Sequence, residues 1–266
     1  MMLPGRFRAA RFCRIFRTPE GEKGLPEMTS LEERWRGVLD AVAEAERRAG
    51  RADGSVRLVA VSKFHPASDI AELCRLGQKD FGENYIQEAR SKQEMLSGQD
   101  IRWHAIGPVQ TNKARDVAGR FFLLHTLDRV ELARAIGRRL PEGETQNALI
   151  QVNIGEEPQK SGVHPSELSA LCEQLLENGL ICTGGSGLVL RGLMCLPPRC
   201  GEGEAARPYF IRLRHLRDEL ERRFGLDLPE LSMGMSGDYR EAIEEGATII
   251  RVGTDIFGPR PVKTQV

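Results

Sequence analysis

The chain has 266 residues, 40% of them hydrophobic and 29% charged, enough apolar matter for a sizeable globular core. No run of about 18 uncharged apolar residues occurs, so no membrane-spanning helix is expected. Lysine plus arginine and aspartate plus glutamate balance at 38 each, and this global charge gives no sign of a nucleic-acid or membrane-surface partner.

Residues 1–27 differ from the rest. Arg6, Arg8, Arg11, Arg14 and Arg17 precede the first acid, Glu20, and a Gly/Pro/Glu stretch leads to Met28. An Arg-rich, acid-poor start of this kind is compatible with a transit peptide, a basic arm, or translation that begins at Met28. It lacks the apolar stretch of a secretory signal. We expect 1–27 to be a disordered or untranslated extension and 28–266 to be a single domain. Without 1–27 the chain holds 32 basic and 35 acidic residues, a mildly acidic body.

The first element is a helix. Ser30 can cap it, Glu32 and Glu33 sit in its first turn, and Leu31, Trp35, Val38, Leu39 and Val42 recur at helical spacing. It should run to about Arg48, with Gly50 ending it. Eight β-branched or apolar runs follow, at Arg57–Phe64, Asp80–Asn84, Arg102–Gly107, Phe121–Leu127, Ala148–Ile154, Leu188–Cys195, Glu230–Ser236 and Thr248–Phe257. Helical patterns lie between them, at 67–77, 85–96, 111–119, 129–140, 165–178, 204–224 and 238–246. Strands alternating with helices imply a parallel sheet, and eight of them close a barrel of about this size. The expected fold is therefore α/β, a single (β/α)8 TIM barrel with an extra N-terminal helix.

The six cysteines form no CxxC pair, and the five histidines show no ligand spacing. The spacing therefore predicts reduced thiols, no metal and a cytoplasmic setting.

In such barrels function collects at the carboxyl ends of the strands. Lys63 ends an otherwise apolar strand, Leu58-Val59-Ala60-Val61-Ser62. A desolvated amine there would have a lowered pKa and could form a Schiff base with an aldehyde. The alternative is a lysine just past the strand that reaches into solvent. Ser236 and Gly237 open a helix after a Met/Gly-rich strand and could hold a phosphate, or form an ordinary cap. Arg251, Gly253 and Thr254 end the last strand, where barrel phosphate sites often lie. Arg251 would face a ligand ring or pair with a core carboxylate. His104 could be an acid or base, although a structural histidine is the commoner case, and Lys160 reads as a solvated loop lysine. A reactive amine on one strand and a phosphate grip on two others fit an aldehyde with a phosphate arm, such as pyridoxal 5′-phosphate (PLP).

Several motifs occur in order. They include Val59-Ala60-Val61-Ser62-Lys63, Phe81-Gly82-Glu83-Asn84-Tyr85, Trp103-His104, Ile106-Gly107, Gln110-Thr111-Asn112-Lys113, Gln151-Val152-Asn153 and Lys160-Ser161-Gly162. Arg191-Gly192-Leu193-Met194, Leu231-Ser232-Met233-Gly234-Met235-Ser236-Gly237-Asp238 and Arg251-Val252-Gly253-Thr254-Asp255-Ile256-Phe257-Gly258 complete the set. Together they resemble the PLP homeostasis family over about residues 29–260. The resemblance implies a fold type III barrel similar to the N-terminal domain of alanine racemase, with PLP on Lys63 as a Schiff base. It implies that Ser236 and the amides of Gly253 and Thr254 hold the phosphate, that Arg251 faces the pyridine nitrogen, and that Asn84 and Asn153 line the pocket. Pro108 and the stretch Thr183–Gly187 depart from the family pattern.

Two activities remain open. One is a monomeric carrier that buffers PLP or delivers it to PLP-dependent apo-enzymes, supporting amino-acid and keto-acid balance without turnover. The other is a PLP-dependent amino-acid racemase, which needs a second base on the opposite face of the substrate. In alanine racemases a tyrosine from a further domain supplies it, and this chain ends soon after the last strand. That favours the carrier.

Overall fold

The computed structural model describes residues 29–182, 187–198 and 202–259. The expectations for residues 1–27 and for Thr183–Ser186 lie outside these. The first element is α1 (Leu31–Arg48), started by a reciprocal cap in which Ser30 Oγ accepts from Glu33 N at 3.1 Å and Ser30 N donates to Glu33 Oε2 at 2.7 Å. Its buried stripe is Trp35, Val38, Val42 and Ala45, while Leu39 of the expected stripe stays exposed.

Eight parallel strands then close a barrel in sequence order. They are β1 (Arg57–Val61), β2 (Asp80–Glu83), β3 (Arg102–Ala105), β4 (Leu123–Leu127), β5 (Thr145–Val152), β6 (Gly187–Cys195), β7 (Glu230–Ser232) and β8 (Ile249–Val252). The helices are α2 (Ala67–Arg75), α3 (Ile86–Met95), α4 (Val130–Gly137), α5 (Leu168–Glu177), α6 (Arg207–Phe224), α7 (Tyr239–Glu244) and α8 (Thr254–Phe257). The expected (β/α)8 barrel with one added helix is the fold. α1 packs against α7 and α8, and Arg34 Nε donates to the Ile256 carbonyl at 2.8 Å, so the extra helix seals the barrel where its first and last strands meet.

Because side chains alternate across a strand, each strand has one row inside the barrel and one against the helices. Val59, Leu123, Leu149, Met194 and Ile249 form the inner apolar cluster. Leu58, Ala60, Phe81, Trp103, Leu124 and Ile250 belong to the larger outer core beneath the helices. Ile249 faces inward, so Arg251, two residues on, does so too.

Several boundaries differ from the expected ones. β1 stops at Val61 rather than Phe64, so Lys63 lies two residues beyond it. β7 ends at Ser232 rather than Ser236, because Gly234 turns the chain at φ +91°. A Cβ at Gly234 would meet that of Ala242 at 2.6 Å. β8 ends at Val252, and the expected strand residues Thr254–Phe257 form the turn α8. The helical pattern at 111–119 is a 3₁₀ turn over Thr111–Asp116.

Candidate functional site

The carboxyl ends of β1, β2, β7 and β8 enclose a cavity of about 330 Å³, at the small end of the size range of ligand sites. Six of the seven residues singled out from the sequence meet in its lining: Lys63, Asn84, Ser236, Arg251, Gly253 and Thr254. The seventh, Asn153, is placed elsewhere. Its Nδ2 donates to the Glu157 carbonyl at 2.8 Å and its Oδ1 accepts from Glu157 N at 3.2 Å, so both ends of the amide shape the loop after β5.

The segment carrying Lys63 is fastened by buried charge. Lys92 of α3, itself buried, donates to the Ser62 carbonyl at 2.8 Å, to Glu83 Oε1 at 2.7 Å and to Glu88 Oε1 at 2.7 Å. Ser62 Oγ donates to the same Glu83 oxygen at 2.7 Å, and Phe64 N donates to Glu88 Oε1 at 2.7 Å. Phe64 has φ +69°, a left-handed conformation costing a β-carbon residue about 1–2 kcal/mol. The Glu88 bond holds that conformation in place. Burial pushes the Glu83 carboxyl above its usual range, against the pull of Lys92 and Ser62.

Asn84 follows β2 and is pressed from behind by Gly107, where any Cβ would overlap the Asn84 carbonyl. Its Oδ1 is buried and has no hydrogen-bond partner among the described residues. A buried amide oxygen with an unmet acceptor is an uncommon state and fits a site that a ligand completes.

On β8, the strand paired with β1, Arg251 is 3% exposed. Nη1 donates to Ser232 Oγ at 2.5 Å and Nη2 to the Cys195 carbonyl at 2.8 Å. No carboxylate among the described residues lies within ion-pair distance of it, so of the two sequence readings the core carboxylate partner is not the one present. Burial opposes its charge, which Cys195 and Asp238 only partly offset. A guanidinium stays charged in any protein environment, so an electron-rich ligand group would compensate it.

The turn at Met235–Asp238 presents Ser236. Asp238 Oδ1 accepts from Met235 N at 2.6 Å, folding the carboxylate into the turn instead of capping α7. His65, which the sequence reasoning did not single out, also lines the cavity and stacks on Phe257 at 4.8 Å. Its place after Ser62-Lys63 was the only available signal.

Of two other expectations, the structural reading of His104 holds and the solvated reading of Lys160 does not. His104 is fully buried beneath the cavity, bonded to Asp80 and His125, so it is a structural histidine. Lys160 is partly buried, pairing with Glu157 Oε2 at 2.5 Å and donating to the Pro197 carbonyl at 3.0 Å. It is a brace between two loops, not a solvated lysine. No group of three or more potential metal ligands occurs among the described residues.

The family model for the alanine racemase N-terminal domain matches residues 39–261. The pyridoxal phosphate homeostasis protein of Aquifex aeolicus is 44% identical over 229 residues, covering 86% of this chain and 97% of that protein. That of Escherichia coli K12 is 40% identical over 232 residues, covering 84% and 94%. Among solved structures, PipY of Synechococcus elongatus with PLP bound matches at TM-score 0.68 and 38% identity, over 82% of this chain and 100% of that one. Alanine racemase of Corynebacterium glutamicum matches at TM-score 0.59 over 86% of this chain and 63% of that one, but at 19% identity it speaks for the fold alone. By the family model and by these identities, the chain belongs to the pyridoxal phosphate homeostasis proteins, a family built on the alanine racemase N-terminal domain.

Proposed function

We propose that the cavity holds PLP covalently on Lys63 and that the protein buffers and delivers this cofactor inside the cell. The observation that carries the reading is the meeting, in one ligand-sized cavity, of Lys63 after β1 and the buried Arg251 of the neighbouring β8, which has no carboxylate partner among the described residues. When bound, PLP supplies the aldehyde with which the Lys63 amine condenses, losing water to form a Schiff base. In this reading Ser236 and the amides of Gly253 and Thr254 hold the phosphate. Arg251 faces the ring nitrogen and keeps it unprotonated, which weakens the ring as an electron sink. Asn84 Oδ1 accepts a hydrogen bond from the ligand. Asn153 has no part in the pocket in this reading, since its amide is spent on the 154–160 loop.

Carriage without turnover is supported by the relatives, which are named for homeostasis. A cytoplasmic setting is supported by the cysteines: Cys74, Cys172 and Cys195 carry free thiols. Burial pushes the Cys172 thiol up to about 11 and the Cys195 thiol up to about 12. No described helix is long and apolar enough to cross a membrane. We read the working form as a monomer whose recipients are PLP-dependent apo-enzymes.

The test is the absorption spectrum after incubation with PLP. Wild-type protein should gain a long-wavelength band that Lys63→Ala abolishes. A wild-type protein that stays colourless, or a variant that keeps the band, would contradict the reading. Sustained racemisation in a coupled amino-acid assay would replace the carrier by the enzyme.

A further inference from the structure

A line of buried polar side chains crosses the barrel interior and ends at Arg251 in the cavity lining. It starts at Asp80 on β2, passes His104 on β3 and His125 on β4, and reaches Ser232 on β7 and Arg251 on β8. The links are Asp80 Oδ1 to His104 Nε2 at 2.9 Å, His104 Nδ1 to His125 Nε2 at 2.9 Å, His125 Nδ1 to Ser232 Oγ at 2.8 Å and Ser232 Oγ to Arg251 Nη1 at 2.5 Å. His104, His125 and Ser232 have no solvent exposure. The far end is pinned at the opposite mouth of the barrel, where Asp80 Oδ2 accepts from Arg102 Nη2 at 2.5 Å and Arg57 lies 3.9 Å from Oδ1.

We propose that Asp80, His104, His125 and Ser232 form a one-directional hydrogen-bond relay that positions the Arg251 guanidinium for the ligand. The proposal rests on the reading of the cavity as a PLP site. Its direction follows from the two ends. A guanidinium only donates and a carboxylate only accepts. With both rings neutral, His104 donates from Nε2 to Asp80, so its Nδ1 must accept from His125 Nε2–H. His125 Nδ1 then accepts the Ser232 hydroxyl proton, leaving Ser232 Oγ to accept from Arg251. No other arrangement of neutral rings satisfies every link.

The surroundings favour that neutral state. Burial lowers His104, with Arg57 and Arg102 acting the same way and Asp80 opposing them. Burial also lowers His125 well below the usual imidazole range, with His104, Arg251 and Arg57 adding to it. Asp80 stays a carboxylate because the His104 and Arg102 bonds outweigh its burial. Ser232 and the Cys195 carbonyl engage two of the five guanidinium N–H groups, which fixes the plane of the fork beside the cavity.

Two measurements test this. The first is nitrogen-15 NMR of the histidine rings in the full chain without PLP, from about pH 5.5 to 8.5, assigned with His104→Gln and His125→Gln. The relay requires two non-titrating rings that carry their proton on Nε2. A cationic His104, or a His125 protonated on Nδ1, overturns it. The second compares PLP binding in wild type, Ser232→Thr and Ser232→Ala. The alanine variant should bind PLP about tenfold more weakly, the scale of leaving one buried partner unmet, and should shift the pH profile of the bound absorption band. Ser232→Thr, which keeps the hydroxyl, should restore both. Unchanged affinity and pH profile in Ser232→Ala, even with a lower urea midpoint, reduces the chain to a structural element and overturns the proposal. Equal losses in both variants overturn the role of the hydroxyl. If wild type takes up no PLP, the cavity reading fails while the ring tautomers still judge the relay.

Discussion

The Lys63 side of the cavity is fastened by charge, and the Arg251 side by neutral groups, a hydroxyl and a carbonyl. Around Lys63, one buried ammonium and two carboxylates grip the main chain, bonding the Ser62 carbonyl and the Phe64 amide. Around Arg251, hydrogen bonds grip the guanidinium itself. The difference teaches how one barrel serves two needs. In the proposed reading Lys63 would bond the ligand through its amine, and it is the backbone on either side of it that is held. A group that must present a fixed charge is best held at its head, without a carboxylate that would neutralise it.

The largest expected effect comes from breaking the charged side. Lys92→Met leaves Glu83 buried without its cation, and loss of one partner of a buried pair costs about 3–5 kcal/mol. Urea unfolding should show a loss of that size, and a loss below about 1 kcal/mol would mean that the cluster is not the anchor. The second effect probes the neutral side through pH. In the unfolded chain both histidines take up protons near pH 6.5, whereas in the native state both are held neutral at that pH. The unfolded state therefore binds up to two more protons, so stability falls as the pH drops below about 6.5. The slope contributed by the pair is up to about 2.7 kcal/mol per pH unit. Urea midpoints between pH 5 and 7 should show it, with roughly half the slope in His104→Gln, and an equal slope in that variant would contradict the assignment. The smallest effect is a control outside both networks. Ser30→Ala removes the cap of α1 and should cost about 1 kcal/mol, with no change in PLP uptake.

The eight strands were legible because each apolar run is short and separated from the next by a helical stretch, so alternation alone yields the barrel. Strand ends were less so. The expected strands continue with apolar residues past their ends, at Met233 and Met235 and again at Ile256 and Phe257, and composition does not register where the backbone leaves the sheet. Lys63, Ser236, Arg251, Gly253 and Thr254 were legible because they sit at strand ends, where a barrel gathers function. Asn153 occupies an equivalent position, but its side chain turns back to the loop, which depends on the conformation of residues 154–160. His125 and Ser232 are 107 residues apart. Their pairing depends on which row of each strand faces inward, and that is set by register rather than by any local motif.

The central claim is that Lys63 holds the cofactor. The most direct measurement is borohydride reduction of the PLP-loaded full-length protein, followed by mass spectrometry of its peptides. One pyridoxyl phosphate adduct is expected, on the peptide containing Lys63. An adduct on other lysines with Lys63 unmodified would contradict it.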